Sequence, residues 1–246
     1  VAFQDHFSRQ AAQYAAHRPS YPADLHAWLA SRAPATSLAW DAGCGSGQAA
    51  LGLARHFARV EASDPSERQI AQAPNHPRIR YHVAAESLPA LAGASVDLIT
   101  AAQALHWFDR DPFWNEARRV AAPDAVIAAW TYSLPRVLPG IDAAIDGLYA
   151  ELDPWWPPGR RAVEDGYASI TLPGRPLPAP VFAMTADWTL AQLLGYLASW
   201  SAVARHRADT GQDAVARALP ALEDAWGDPR RRHPVSWPLV MRAARL

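Results

Sequence analysis

The run Asp41-Ala42-Gly43-Cys44-Gly45-Ser46-Gly47-Gln48 constrains this chain more than any other stretch. A short apolar segment, Ser37 to Trp40, precedes it and reads as a buried strand. An apolar-periodic segment, Ala50 to Phe57, follows it and reads as a helix. Strand, glycine-rich turn and helix make the first half of a nucleotide-binding βαβ unit. Glycines are needed there because the backbone must turn sharply and approach a ligand with no Cβ in the way. The spacing is G-x-G-x-G, and Gln48 stands where a dinucleotide fingerprint needs its third glycine. The pattern therefore points away from a nicotinamide cofactor.

A chain of 246 residues, half of them hydrophobic, is long enough to bury one large α/β core. Charged residues make up only 19% and the net charge is −1, which argues against disorder and against a polyanionic partner. The sequence contains no lysine, so all 23 cationic side chains are arginine. Cys44 is the single cysteine, which rules out an internal disulfide and suits a reducing compartment. No apolar run approaches the roughly 18 residues of a membrane span. The first residues lack a secretory apolar core, so a cytoplasmic protein is expected.

The remaining elements follow from periodicity and punctuation. Phe3, Phe7, Ala11 and Tyr14 recur at helical spacing, Arg18 to Pro22 interrupts, and Leu25, Trp28 and Leu29 mark a second helix. Strands are expected at Arg59 to Asp64, Ile79 to Ala84, Ser95 to Thr100, Ala125 to Tyr132, Val181 to Trp188 and Val235 to Arg245. Asp64 falls roughly 20 residues past the first glycine of the turn, the offset of a carboxylate that accepts ribose hydroxyls. Ser66 is placed to cap the next helix, and Asp111 to Val120 reads as another. Ile141, Ile145, Leu148 and Leu152 step at helical spacing, whereas Asp153 to Pro180 is rich in Pro, Gly, Trp and Arg and reads as a long ordered loop or cap. Thr189 and Gln192 form a capping box for a helix whose apolar face runs from Leu190 to Ala204. A last helix carries Val215, Leu219, Leu222 and Trp226, kinks at Pro220 and stops at Gly227. The expected fold is α/β: a Rossmann-like, doubly wound, mostly parallel seven-stranded sheet with an antiparallel last strand and a helical cap. It forms a single domain, with residues 1–35 as an N-terminal lid, 36–134 as the cofactor-binding core, and 135–246 as cap insertions and the last two strands.

With Asp41, Gly43, Gly45 and Gly47 matching all four fixed positions of D-x-G-x-G-x-G, the turn resembles the first motif of class I S-adenosylmethionine-dependent methyltransferases, in the methyltransferase type 11 group. Two further tracts, Phe7 to Pro22 and Ala101-Ala102-Gln103-Ala104-Leu105-His106-Trp107, are similar to those of trans-aconitate methyltransferases. The resemblance implies S-adenosylmethionine as cofactor and a set of residues around it. The turn would supply Asp41, Gly43, Cys44, Gly45 and Gly47; the second strand and its helix Asp64, Pro65 and Gln69; the lid Tyr14 and Arg18. Ala85 and Glu86 lie in the adenine-binding segment, where Ala84 stands in place of the aspartate many members carry, so only the backbone contact transfers. Gln103 and Ala104 close the cofactor set.

Methyl transfer from a sulfonium needs donor and acceptor held at a near-attack distance, which can supply roughly 7–11 kcal/mol, and a base is optional. The absence of a conspicuous triad is therefore compatible with catalysis. His106 is the titratable residue nearest the chemistry, as a base, as a donor orienting the acceptor, or as a ring packed under Trp107. Trp107, Trp155, Trp156 and Trp200 are the candidate walls of an apolar acceptor pocket. The resemblance to trans-aconitate methyltransferases, with Arg18, Arg160 and Arg161 available to hold an anion, implies methylation of a small molecule, with the carboxylate of an organic acid as acceptor. The alternatives are base-assisted O- or N-methylation of a phenol or amine, and a non-catalytic S-adenosylmethionine-binding protein. No histidine or cysteine spacing suggests a metal site. Arg230 to Arg232 reads as a solvated turn, so neither nucleic acid nor membrane is expected as a partner, and the chain could act as a monomer or a dimer.

Overall fold

The computed structural model describes residues 19–246. The expected N-terminal helix, with Tyr14 and Arg18, lies outside the described residues. The elements in chain order are α1 (Ala23–Arg32), β1 (Leu38–Ala42), α2 (Gln48–Leu53), β2 (Arg59–Asp64), α3 (Glu67–Ile70), β3 (Ile79–Val83) and β4 (Val96–Ala102). A 3-10 turn (Leu105–Trp107), α4 (Arg110–Val120), β5 (Ala121–Tyr132), α5 (Pro139–Glu151) and a second 3-10 turn (Asp153–Trp155) come next. The chain continues through α6 (Arg160–Glu164), β6 (Arg175–Pro176), β7 (Phe182–Trp188), α7 (Leu190–Ala198), α8 (Ser201–Thr210), α9 (Ala214–Trp226) and β8 (His233–Arg245).

β1 is buried at every position, and its side chains alternate between two cores as a strand requires. Leu38, Trp40 and Ala42 join Phe113, Ala117 and Val120 of α4 on one face, while Ala39 faces α1 and α2 on the other. Covering both faces is what permits a parallel sheet. Each fully buried Leu or Ile in these layers contributes roughly 1.5–3 kcal/mol. The order is β3-β2-β1-β4-β5-β8-β6, with β7 also pairing β8. β1 to β5 pair in parallel, and β8 runs antiparallel to both β5 and β7. All seven expected strands are present, and β6 adds a two-residue eighth. The Asp97 carboxylate fastens the entry to β1 by accepting the N–H groups of Ser37 and Leu38, at 2.8 and 3.0 Å.

Strand order reverses between β1 and β4, and ligands in open α/β sheets bind at the carboxyl ends beside such a switch. The glycine turn leaves β1 there, and Gln103 to Trp107 leaves β4 there.

The single long helix expected from Thr189 to Ala204 is two helices, α7 and α8. The Ser199 hydroxyl and N–H both turn back to the Tyr196 carbonyl, the Trp200 N–H bonds the Leu197 carbonyl, and Trp200 then adopts extended backbone. The tight i→i−3 bonds end α7 and swing Trp200 onto Trp156, 5.5 Å away between ring centroids. The capping box forms as expected, and α9 runs on through Pro220.

Candidate active site

Three glycines in left-handed backbone build the turn after β1, at φ +68 for Gly43, +55 for Gly45 and +84 for Gly47. Two of them also make room for packing. A Cβ on Gly43 would lie 2.5 Å from the Ala104 Cβ, and one on Gly47 would lie 2.4 Å from the Tyr81 hydroxyl. Gly45 differs: the nearest atom to its would-be Cβ is Gln69 Oε1, at 4.0 Å, so the space over it is open. Asp64 braces this turn. Its Oδ2 accepts the Gly45 N–H and its Oδ1 the Ser66 N–H, each at 2.9 Å. Ser66 in turn caps α3 by accepting the Gln69 N–H.

Beneath the turn, Asp41 is fully buried. The Thr100 hydroxyl donates to its Oδ1 at 2.7 Å, and Oδ2 has no partner among the described residues. Burial raises its pKa to about 7, against the Thr100 hydrogen bond that favours the ionised form. An open glycine face, a carboxylate at the end of β2 and an orphaned buried oxygen fit a polar, nucleoside-bearing ligand such as S-adenosylmethionine. Cys44 is buried, and burial pushes its thiol pKa well up, so it serves as packing under the turn. Gln48, in the position of the absent third glycine, donates to the Pro19 carbonyl at 2.6 Å and ties the segment before α1 to the turn.

Beside the turn, Gln103, His106, Trp107, Trp156, Arg160 and Trp200 line one cavity between the sheet and the cap. The cap closes over His106 because residue 159 is glycine; a Cβ there would sit 2.9 Å from the His106 carbonyl oxygen. His106 Nδ1 is 2.9 Å from the hydroxyl of Tyr167, a residue of the cap with no exposed surface. Burial and then the Arg160 charge lower the His106 pKa to about 3, so the ring is neutral. The Arg160 guanidinium lies against both the Tyr149 and Trp156 rings, 5.1 and 4.8 Å from their centroids. Its Nε donates to the Tyr149 hydroxyl at 2.7 Å, which in turn bonds Glu164. Arg160 Nε and Glu164 are 4.0 Å apart, and the two terminal nitrogens of Arg160 have no hydrogen-bond partner among the described residues.

Asp41, Gly43, Cys44, Gly45, Gly47, Asp64, Pro65 and Gln69 thus gather around one turn, with Ala104 packed on Gly43. Ala85 is exposed at the end of β3, and Glu86 accepts the Asp109 N–H at 3.1 Å, tying that segment to the start of α4. Gln103 faces the cavity and the Tyr132 carbonyl. Trp107, Trp156 and Trp200 reach the cavity, but Trp155 does not: the 3-10 turn directs it onto His206, 4.6 Å away, and its indole donates to Asp209. Arg161 is exposed on α6, away from the lining. Sequence reasoning missed Tyr81, Thr131, Tyr149 and Tyr167. Their partners are distant in sequence, 61 residues in the case of His106 and Tyr167, and no local pattern marks them. Among the described residues no cluster of His, Cys, Asp or Glu could hold a metal ion, and no helix is long and apolar enough to cross a membrane.

Comparison with known proteins agrees with this geometry. Residues 40–129 match a family model described as a methyltransferase domain. A Dictyostelium discoideum protein described as a candidate methyltransferase is 31% identical over 207 residues, covering 82% of this chain and 79% of its own length. The structure of a candidate type II methyltransferase from Anaeromyxobacter dehalogenans is 52% identical with a TM-score of 0.87, covering 93% of this chain and 97% of that one. A candidate methyltransferase from an antibiotic biosynthesis pathway of Anabaena variabilis shares the fold at a TM-score of 0.53 and 17% identity, over 87% of this chain and 96% of its own.

Proposed function

The chain belongs to the class I S-adenosylmethionine-dependent methyltransferases, and from that premise we propose that its acceptor is a small organic acid with an apolar body, held by Arg160 beside His106. S-adenosylmethionine, when bound, supplies a methyl group already activated on a sulfonium. Gly45, Asp64 and Asp41 are the residues proposed to hold its polar parts. What remains for the protein is to bind the acceptor, exclude water and aim the nucleophilic atom.

Arg160 carries this reading. It is a mostly covered guanidinium, fixed by two aromatic faces, whose terminal nitrogens are free in a cavity walled by Trp107, Trp156 and Trp200. A planar fork held this way suits a carboxylate, and the indoles suit an apolar body. The likeness of the His106-Trp107 tract to trans-aconitate methyltransferases supports an acid in the same sense. Methylation of the carboxylate itself would give base-labile methyl esters. A hydroxyl on such an acid is the second reading, favoured by the hydrogen bonds behind His106.

The test is a panel of organic acids, uncharged analogues, phenols and amines incubated with labelled cofactor. Acids should accept label, and Arg160→Met should raise their KM roughly 10- to 100-fold, the loss of a charged hydrogen-bond pair, with kcat little changed. Label confined to uncharged acceptors, or a KM for acids indifferent to Arg160→Met, would discard the acid reading.

A further inference from the structure

Residues 84–95 carry the chain from β3, at the edge of the sheet, to β4, with β2 and β1 between them, and they form no helix or strand. A crossover between parallel strands is ordinarily a helix, whose backbone groups satisfy one another. Two side chains of α4 take over that role here. Glu116, buried on α4, accepts the Leu88 N–H on Oε1 at 2.9 Å. Arg119 donates from Nη1 to the Leu91 carbonyl at 2.9 Å and from Nη2 to the Leu88 carbonyl at 3.5 Å. The same guanidinium holds both Glu116 oxygens, Oε2 from Nε and Oε1 from Nη2, each at 2.7 Å. Leu88 and Leu91 join the buried cluster of Trp40, Phe113 and Ala117, which anchors the segment from its apolar side. An ion pair used in this way fixes a backbone, because one rigid fork meets two carbonyls and a carboxylate at once.

The start of the segment borders the cofactor turn. The Ala84 N–H donates to the Asp64 carbonyl at 3.1 Å, and the Leu88 N–H goes to Glu116. Between these two anchored amides, the N–H groups of Ala85, Glu86 and Ser87 have no hydrogen-bond partner among the described residues. Three donors in a row are therefore offered at the carboxyl end of β3. The acceptor cavity lies the other way, where Gln103 and His106 follow β4 and Tyr132 ends β5. A cofactor with its ribose on Asp64 and its methyl toward that cavity directs its base to β3, onto those donors. Adenine meets them with ring nitrogens, which accept. We propose that Glu116 and Arg119 are positioning residues for the cofactor: by fixing Leu88 they aim the N–H groups of residues 85–87 at the edge of the adenine ring. Nothing in this placement depends on the acceptor.

The experiment isolates the ring edge from the rest of the ligand. Calorimetry compares the demethylated cofactor with three analogues in which N1, N3 or N7 of the adenine is replaced by C–H. One analogue should bind the wild type roughly 3- to 10-fold more weakly than the parent, the worth of one hydrogen bond. Glu116→Leu combined with Arg119→Met removes both charges together, so no carboxylate is left buried without its partner. In that double variant the parent ligand should weaken by the same factor and the gap between parent and analogue should close. Arg119→Lys serves where the double variant fails to fold. It keeps a cation beside Glu116 but loses the fork over the two carbonyls, and it should narrow the gap in the same direction. A pair that only supports the fold would weaken all four ligands alike, so an unchanged gap in the variants overturns the positioning role. Analogues that all match the parent in the wild type overturn the placement of the base on residues 85–87.

Discussion

Asp64 offers the sharpest test of the cofactor site, because it braces the turn and is proposed to hold the ribose, two duties that a cycle of variant and ligand separates. Its two oxygens hold the Gly45 and Ser66 N–H groups at 2.9 Å, so Asp64→Ala strips a brace from the turn as well as a ligand contact. An orphaned donor costs about 1–3 kcal/mol when buried. Gly45 is half-buried and Ser66 buried, and at the lower end of that range for each of the two donors about 2 kcal/mol of stability should go. For a domain of this size that lowers Tm by roughly 4–8 °C. Losing an acceptor for ribose hydroxyls should cost a further 1.5–3 kcal/mol of affinity, about 10- to 100-fold. A loosened turn and a lost ribose contact both weaken binding, so the assay is a cycle. Calorimetry with the demethylated cofactor and with its deoxyribose analogue, on wild type and Asp64→Ala, isolates the hydroxyl-carboxylate coupling. The analogue should bind the wild type more weakly and the variant no more weakly than the parent ligand. Equal penalties in both proteins would show that Asp64 only braces the turn.

Two left-handed glycines, one crowded and one open, predict different costs. Gly43→Ala meets Ala104 at 2.5 Å in left-handed backbone and should abolish cofactor binding and lower Tm, whereas Gly211→Ala, equally left-handed but with nothing within 4 Å, should lose only about 1 kcal/mol. Similar melting points for the pair would remove the packing argument. Burial, then His56, lowers the buried His26 pKa to about 4, so as pH falls only the unfolded chain takes up this proton. The corresponding stability is whole above about pH 6.5 and lost by about pH 4, roughly 3 kcal/mol in all. Urea unfolding of His26→Leu should be correspondingly flatter over that window, and a wild-type curve unchanged by the substitution would count against it.

The parallel half of the fold was legible because its signals are local. Val60, Ala62, Leu98 and Ile99 form runs buried on both faces, and glycine spacing sets the turn between β1 and α2. The cap was less legible for the same physical reason. Between Asp153 and Pro180 no periodicity states which way a side chain faces. Trp155 and Trp156 are adjacent and chemically identical, yet the 3-10 turn that ends at Trp155 sends one to His206 and the other to the cavity. The break between α7 and α8 is set by a serine hydroxyl returning to its own turn, in a stretch whose apolar spacing suits one continuous helix.

Departures from local rules separate what the sequence could reveal of the site from what it could not. Asp41 is visible as an anomaly, a charge at the end of an apolar strand, and its orphaned oxygen marks the turn as polar beneath. The left-handed backbone of Gln103 and Tyr167 has no such signature, since neither residue type favours that conformation. Their backbone is sustained by contacts that exist only once β4, β5 and the cap are assembled, Gln103 to Thr131 of β5 and Tyr167 to His106. The setting of His106 is therefore a property of the folded chain: its Nδ1 partner, the Tyr167 hydroxyl, comes from a cap residue 61 positions away. A cap that shifted against the sheet would break the His106–Tyr167 hydrogen bond while the imidazole kept its place beside Trp107, so the cap, and not the sheet alone, sets what faces that ring.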